Sequence, residues 1–297
     1  MKHHATEIKN CPVCGSEAQR LFLECVDFTV SKAVFSIRTC GACGFAFTSP
    51  RPADSDLGAY YESEDYISHS NTNKGIVSRL YQTVRKRTLK RKLSLVNTNG
   101  KKGAILDIGC GTGEFLGTCK QDGWKALGIE PNPSAREQAQ KNHGLEVREE
   151  EAMNSLAAKS FDVITLWHVL EHVPGLNERV QKIKELLKDN GLLVVAVPNR
   201  NSHDAAYYGK FWAAYDVPRH LWHFRPQDIR QLMEKHGMEV VSVLPMKYDS
   251  YYVSMLSEKY RTGSNRMIAA MMRGWISNRK AGKEAWSSQI YLIRHKR

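Results

Sequence analysis

The chain has 297 residues, 42% apolar and 25% charged, with a formal charge of +12 and a pI of about 9.3. That composition excludes wholesale disorder and fibrous repeats, and at ~150 residues per domain the length suits about two domains. The longest apolar run, from Leu192 to Val197, is far too short to cross a bilayer, the first ten residues lack an apolar signal core, and seven cysteines are too few for a disulfide scaffold.

A cytoplasmic location is therefore expected. Charge is uneven along the chain. From Tyr66 to Leu106 there are ten Lys/Arg and no acid, and from Lys259 to Arg297 ten Lys/Arg against Glu284 alone. Two basic segments around a mildly acidic remainder suggest an anionic partner or substrate.

In chain order, the first signal is a pair of C-x-x-C knuckles, Cys11-Pro-Val-Cys14 and Cys40-Gly-Ala-Cys43, with 25 residues between them. Without an export signal, this spacing reads as a four-thiolate zinc site rather than disulfides. Zinc takes four ligands in a tetrahedron, each tight turn supplies two, and the glycine after each pair lets backbone amides aim at the sulfurs. Arg20-Leu-Phe-Leu23 and Ala33-Val-Phe-Ser-Ile-Arg38 read as the strands of a zinc-ribbon hairpin within residues 1–50. So small a unit buries little core, and metal binding is expected to supply the missing folding energy. Cys25, Cys110 and Cys119 have no partner in sequence and read as small buried residues.

Ser49-Pro-Arg-Pro52 ends the ribbon, and residues 51–101 read as a basic helical connector. Ile76, Leu80, Val84 and Thr88 share a face, while Arg85, Lys86, Arg87, Lys90, Arg91 and Lys92 cover the others. Packing on the main domain is the simpler reading; an acidic membrane surface or nucleic acid is the alternative.

From Gly103 onward strands and helices alternate. Strands are predicted at 104–108, 124–130, 145–148, 161–167, 191–197, 238–245 and 288–294, and helices at 114–121, 134–142, 176–188 and 226–236. This order predicts an α/β, doubly wound sheet over residues 102–297. A long basic stretch with helical patches, from Tyr248 to Trp286, precedes the last strand.

After the first of these strands comes Ile105-Leu-Asp-Ile-Gly-Cys-Gly-Thr-Gly-Glu-Phe115. Gly109, Gly111 and Gly113 give G-x-G-x-G, but the position of a dinucleotide fold's third glycine is Glu114. Asp107 and Glu114 would repel a pyrophosphate and suit a ligand bearing positive charge. Glu130, 21 residues after Gly109, closes the second strand, where an acid accepts both hydrogens of a ribose diol. A cationic nucleoside without phosphates describes S-adenosylmethionine.

The loop resembles motif I of the class I S-adenosylmethionine-dependent methyltransferases, and Gly128-Ile-Glu-Pro131 resembles their second motif. Phe161-Asp-Val-Ile-Thr-Leu-Trp-His-Val-Leu-Glu-His172 is similar to the fourth-strand region of the ubiquinone-type branch, and the resemblance runs roughly from Lys102 to Lys296. It implies a Rossmann-like, seven-stranded methyltransferase sheet whose last strand runs antiparallel to the rest. It implies Asp107 and Gly109 beside the cofactor's methionine part, Glu130 beside the ribose, and the acids from Glu149 to Glu151 near the adenine. The expected cofactor set is Asp107, Gly109, Cys110, Gly111, Gly113, Phe115, Glu130, Pro131, Glu150, Leu166 and Trp167.

Methyl transfer is an in-line displacement that needs alignment, exclusion of water and, in some enzymes, a base. Candidate bases cluster at His168, Glu171 and His172, and in Tyr215-Asp-Val-Pro-Arg-His-Leu-Trp-His223 after the fifth strand. Phe211, Trp212, Tyr215 and Trp222 would form an apolar wall there or cap the sheet. Catalytic roles are expected for His168, His172 and His220, with His168 as general base or positioner of the acceptor. Ubiquinone-type enzymes carry Glu-x-x-Glu-His, associated with a divalent metal, at the positions of His168, Glu171 and His172. His168 in place of the first Glu makes a hard-cation site the lesser expectation.

Zinc ribbons precede this fold in nucleotide-sugar C-methyltransferases and in rRNA guanine methyltransferases, the latter with a histidine in the second knuckle where this chain has Cys40 and Cys43. Base-amino signatures of Asn or Asp with Pro-Pro and an aromatic are absent, as is a cysteine after the fourth strand. A small-molecule, sugar or lipid-linked acceptor is therefore expected, with RNA as the alternative because of the basic segments. A non-catalytic zinc-ribbon adaptor is the third reading, and the intact cofactor loop counts against it.

Overall fold

The computed structural model describes residues 5–61 and 76–296, and side chains from residue 84 within the first long helix. Ile76 and Leu80 of the expected helical face, and residues 66–75 of the first basic segment, lie outside the described side chains. In chain order the strands are β1 (Gln19–Val26), β2 (Val34–Cys40), β3 (Ala46–Thr48), β4 (Ala104–Ile108), β5 (Lys125–Ile129), β6 (Glu146–Arg148), β7 (Phe161–Trp167), β8 (Leu187–Pro198), β9 (Trp222–His223), β10 (Met238–Pro245) and β11 (Ser288–His295). The helices are α1 (Ile76–Asn99), α2 (Glu114–Gln121), α3 (Pro133–His143), α4 (Leu176–Leu186), α5 (His203–Tyr208), α6 (Pro226–Lys235), α7 (Asp249–Thr262) and α8 (Met267–Lys280). Ala5–Thr6 and Arg51–Pro52 add a short antiparallel pair.

Strands β7 and β8 are apolar and almost wholly buried, as strands covered by helices on both faces must be. They sit in the middle of a seven-stranded sheet of order β10-β11-β8-β7-β4-β5-β6. β4, β5, β6, β7 and β8 pair in parallel, and β11 is antiparallel to both neighbours, β8 and β10. This is the sheet of the class I methyltransferases. Helix α4 stops at Leu186, short of the expected Lys188, because Leu187 is buried and already paired with Phe161. The basic stretch after β10 forms two helices, α7 and α8, with Gly263 closing the first in a left-handed turn. Among the described residues, no helix is long and apolar enough to cross a membrane.

One face of the sheet is covered through Val96 of α1 together with Leu116, Trp124 and Leu145. The other face runs without a break into the N-terminal module. Leu106 and Leu166 share a core cluster with Phe45, Phe47, Trp222 and Cys11. The contact is also made by backbone: β9 pairs with β3, Trp222 opposite Phe47 and His223 opposite Ala46, giving a second sheet of order β9-β3-β2-β1. Trp222 stacks near Phe45 at 6.2 Å, and its Nε1–H donates to Val173 O at 2.6 Å, so this aromatic group is packed between module and sheet.

Candidate active site

β4 ends at Ile108, and the chain turns through Gly109, Gly111 and Gly113, all at positive φ, into α2. A Cβ on Gly113 would lie 2.6 Å from Leu145 and 2.9 Å from Ala139, so a side chain would push the start of α2 away from α3. Gly111 N–H donates to Glu130 Oε2 at 2.9 Å and Asn132 N–H to Glu130 Oε1 at 3.0 Å. The carboxylate that follows β5 therefore latches the glycine turn from below. Asp107 is buried, and Thr165 Oγ1 donates to its Oδ1 at 2.5 Å. Burial pushes the Asp107 carboxyl up to about 7 against the opposing pull of Thr165 and Lys92.

Trp167, at the end of β7, meets Phe115 edge-on with centroids 5.3 Å apart. From α1, Lys92 places its Nζ 4.2 Å from the centroid of the Trp167 ring. Burial lowers the pKa of this ammonium, and the charges of Asp107 and Asp249 oppose the shift. Glu114 accepts from Thr112 Oγ1 at 2.7 Å and pairs with Arg85 of α1. Of the expected cofactor residues, Asp107, Gly109, Cys110, Gly111, Gly113, Phe115, Glu130, Pro131 and Trp167 line the carboxyl ends of β4, β5 and β7. The Leu166 side chain is fully buried in the core, and Glu150, on the turn after β6, gives Oε1 to Arg179.

His168 follows β7 at φ 58°, a left-handed conformation uncommon for a residue with a Cβ, and its N–H donates to Ala196 O at 2.9 Å. That turn directs Nε2 to Asp249 Oδ2 at 2.9 Å and Nδ1 to Glu171 Oε1 at 3.3 Å. Burial alone would discharge the ring; the hydrogen bond and charge of Asp249, then those of Glu171, outweigh it and raise the pKa to about 10. An imidazolium bonded on both nitrogens has no lone pair for a proton. Of the two roles expected of His168, general base or positioner of the acceptor, a ring held by a carboxylate on each nitrogen suits positioning better.

Glu171 and His172 lie on the single turn Leu170–His172. His172 Nδ1 is 3.1 Å from Arg219 O and 3.0 Å from Tyr61 Oη, and His220 Nδ1 is 2.8 Å from Ala214 O. A ring N–H given to a backbone carbonyl leaves Nε2 of each histidine with the lone pair. The rings meet edge-on, 4.5 Å between centroids. Burial first, and then His220, push the His172 pKa down to about 4. Glu171 Oε2 is buried with no hydrogen-bond partner among the described residues, and one ligand atom from each of Glu171, His172 and His220 lies within 4.8 Å of the others.

The loop bearing His220 is fixed by Arg219. Its guanidinium donates to Asp216 at 2.6 and 3.0 Å, to Tyr60 O at 3.0 Å and to Asp27 Oδ1, in the turn between β1 and β2, at 3.2 Å. Asp27 is itself fully buried and accepts from the Thr29 and Ser31 hydroxyls at 2.8 Å each.

Comparison with known proteins decides the family. A family profile described as a methyltransferase domain matches residues 81–243. The chain belongs to this methyltransferase family. It is 31% identical to the ubiquinone biosynthesis O-methyltransferase of Nitrosococcus oceani over 175 residues, 54% of this chain and 72% of that one. With the Rhodopseudomonas palustris protein of the same name it shares 30% over 147 residues, 46% of this chain and 58% of that one. The chain thus spans from somewhat over half to nearly three quarters of these relatives. The magnesium protoporphyrin IX methyltransferase ChlM of Synechocystis PCC 6803, solved with bound SAH, is similar in fold, with a TM-score of 0.54 at 13% identity over 81% of this chain and 100% of that one.

In this S-adenosylmethionine-dependent methyltransferase the four expected cysteines do come together. Cys11 Sγ is 3.6 Å from Cys43 Sγ and Cys14 Sγ 3.5 Å from Cys40 Sγ, with all four sulfurs within 4.8 Å of one another. A disulfide needs ~2.05 Å, whereas sulfurs ~2.3 Å from one central zinc stand ~3.8 Å apart. The cluster fits a zinc ribbon. The methyltransferase half holds its knuckles: Arg225 Nη2 donates to Cys43 O at 2.8 Å, Arg200 to Gly44 O, and Lys235 Nζ and Asn177 Nδ2 to Pro12 O at 2.8 and 3.0 Å. Sequence reasoning missed Lys92, Asp249, Tyr61 and Asp27 as parts of the site, each on a different element from the motif it serves, and gave Arg219, beside His220, no part in holding the loop.

Proposed function

We propose that the enzyme methylates a small-molecule acceptor, of the sugar or lipid-linked kind, whose nucleophile gives its proton to the His172–His220 pair. The observation that carries this is the pair itself: two edge-on imidazoles, each tied through Nδ1 to a backbone carbonyl, next to the strand end that carries Trp167. S-adenosylmethionine, when bound, supplies an electrophilic methyl on a sulfonium. Asp107 would face its positive charge, Glu130 its ribose hydroxyls, and Lys92 its carboxylate. Burial and His220 hold the His172 pKa down to about 4, so its ring is neutral at neutral pH but only weakly basic, and the proton goes to the pair rather than to His172 alone. Asp216 Oδ2, 3.9 Å from His220 Nε2, faces the charge that protonation would leave there. His168, held charged, would orient the acceptor. In this reading residues 1–50 are the ribbon, with zinc on Cys11, Cys14, Cys40 and Cys43, residues 51–101 connect, and residues 102–297 are the catalytic domain.

Glu171 Oε2, without a hydrogen-bond partner among the described residues, favours one second reading, in which Glu171, His172 and His220 hold a divalent cation that orients and acidifies the acceptor. Two imidazoles suit zinc or iron better than magnesium. The test is turnover of His172→Ala and His220→Ala with labelled S-adenosylmethionine and candidate acceptors, with and without chelator. Loss of a base costs ~10²–10⁴-fold in turnover at unchanged cofactor affinity. Sensitivity to chelator while the ribbon keeps its metal supports the cation, and full activity in both variants contradicts both readings.

A further inference from the structure

Helix α8 is turned inside out. Ala270, Gly274 and Ser277 form its buried face, and Gly274 lies so close to α7 that a Cβ would be 2.8 Å from the Tyr251 ring. On the other side Ile268, Met271, Met272 and Trp275, spaced i, i+3, i+4 and i+7, are 82, 39, 56 and 51% exposed. Small residues inside and the bulkiest apolar residues outside reverse the pattern of a water-facing helix, and an apolar patch of this kind marks an interaction surface. Its surroundings are cationic. The helix carries Arg273, Arg279 and Lys280 and no acid, and Arg266 precedes it. Beside it opens a cleft of about 370 Å³ in which Arg91, Lys247 and Arg279 lie over Tyr248, Trp286 and Trp275 at 5.2, 5.2 and 5.0 Å.

We propose that this surface docks on an anionic lipid bilayer, with the face from Ile268 to Trp275 entering the interface and Arg91, Lys247 and Arg279 meeting lipid phosphates. Bulky apolar residues and tryptophan on one helix face, framed by Lys/Arg, match the interfacial region of such a membrane in both polarity and charge. The cleft adjoins the active site through the chain itself: Tyr248 in its wall precedes Asp249, the partner of His168. Docking would bring that mouth to the lipid surface. The inference goes beyond the acceptor reading and stands without it, since a soluble acceptor leaves the surface unchanged.

The full chain is sedimented with vesicles of phosphatidylcholine alone and of phosphatidylcholine with phosphatidylglycerol. Binding to the anionic vesicles alone is expected, weakened on the order of tenfold or more in Ile268→Glu/Met272→Glu. Tryptophan emission should shift to the blue on vesicle addition, and the shift should shrink in Trp275→Phe. Cofactor affinity, measured by calorimetry on the same samples, should be unchanged, which separates this surface from the active site. Absence of binding to anionic vesicles, or equal binding by the double variant, overturns the proposal. So does a dimer that the double variant dissolves, or a salt-sensitive RNA complex on this face that displaces the vesicles.

Discussion

The cofactor side and the acceptor side of this methyltransferase are built on different length scales. Asp107, the three loop glycines and Glu130 lie within 24 consecutive residues, and two parallel strands with one turn bring them together. The acceptor side draws Tyr61, Glu171, His172, Arg219, His220 and Asp249 from separate segments, and its loop is fastened by Asp27 of the N-terminal module. On the proposed reading, the four-cysteine module therefore walls the acceptor side. Its strand β3 pairs with β9, and its buried Asp27 holds the arginine whose carbonyl meets His172.

If that division is right, damage to the module should reach turnover before it reaches cofactor binding. Cys40→Ser has the largest expected effect: loss of metal, collapse of the pairing between β3 and β9, and abolished turnover, with cofactor binding retained in part. Metal analysis and calorimetry on one preparation check this, and a variant that keeps full turnover would detach the module from the active site. Asp27→Ala comes next. It removes one of the two carboxylates on the buried Arg219, leaving Asp216, and takes the acceptor from the Thr29 and Ser31 hydroxyls, a loss of about 1–3 kcal/mol read by chemical denaturation. Asp27→Asn, which keeps an acceptor oxygen, should lose less.

The cofactor side has its own signature, in pH. Burial raises the Asp107 pKa to about 7 even with Thr165 and Lys92 pulling it down. A cationic ligand binds the ionised form, so affinity for S-adenosylmethionine should be constant above that pH. It should fall by up to about tenfold per unit below it. Asp107→Asn should bind more weakly and show a flat profile; a wild-type affinity that does not change between pH 8 and pH 5 would remove Asp107 from the site.

The same difference in scale explains what could be read from sequence. G-x-G-x-G before a helix, the acid closing the next strand and the two C-x-x-C pairs are local patterns, and the alternation of strands and helices pointed to the doubly wound sheet; antiparallel β11 followed only from the family resemblance. Lys92 looked like one of six similar cations on a basic helix; only the packing of α1 places it over Trp167. His168 read as either a base or a positioner because its partner Asp249 sits at the start of α7, and no spacing rule joins them. Trp222 and His223 form a strand of two residues, too short to show a period, so the joining of ribbon and sheet was invisible. The stretch from Tyr248 to Trp286 showed only helical patches; in α8 the bulky apolar residues face outward, against the pattern by which a helix is normally recognised.

The most direct test of the central claim, that the loop from Asp107 to Gly113 and Glu130 form the cofactor site, is a calorimetric titration of S-adenosylmethionine into wild type and Glu130→Ala. Removing the carboxylate leaves ribose hydroxyls without their acceptor and frees the Gly111 amide, and should weaken binding by about 1–3 kcal/mol. Glu130→Gln should fall between the two, and NAD should bind to none of them. Equal affinity in wild type and Glu130→Ala would contradict the assignment.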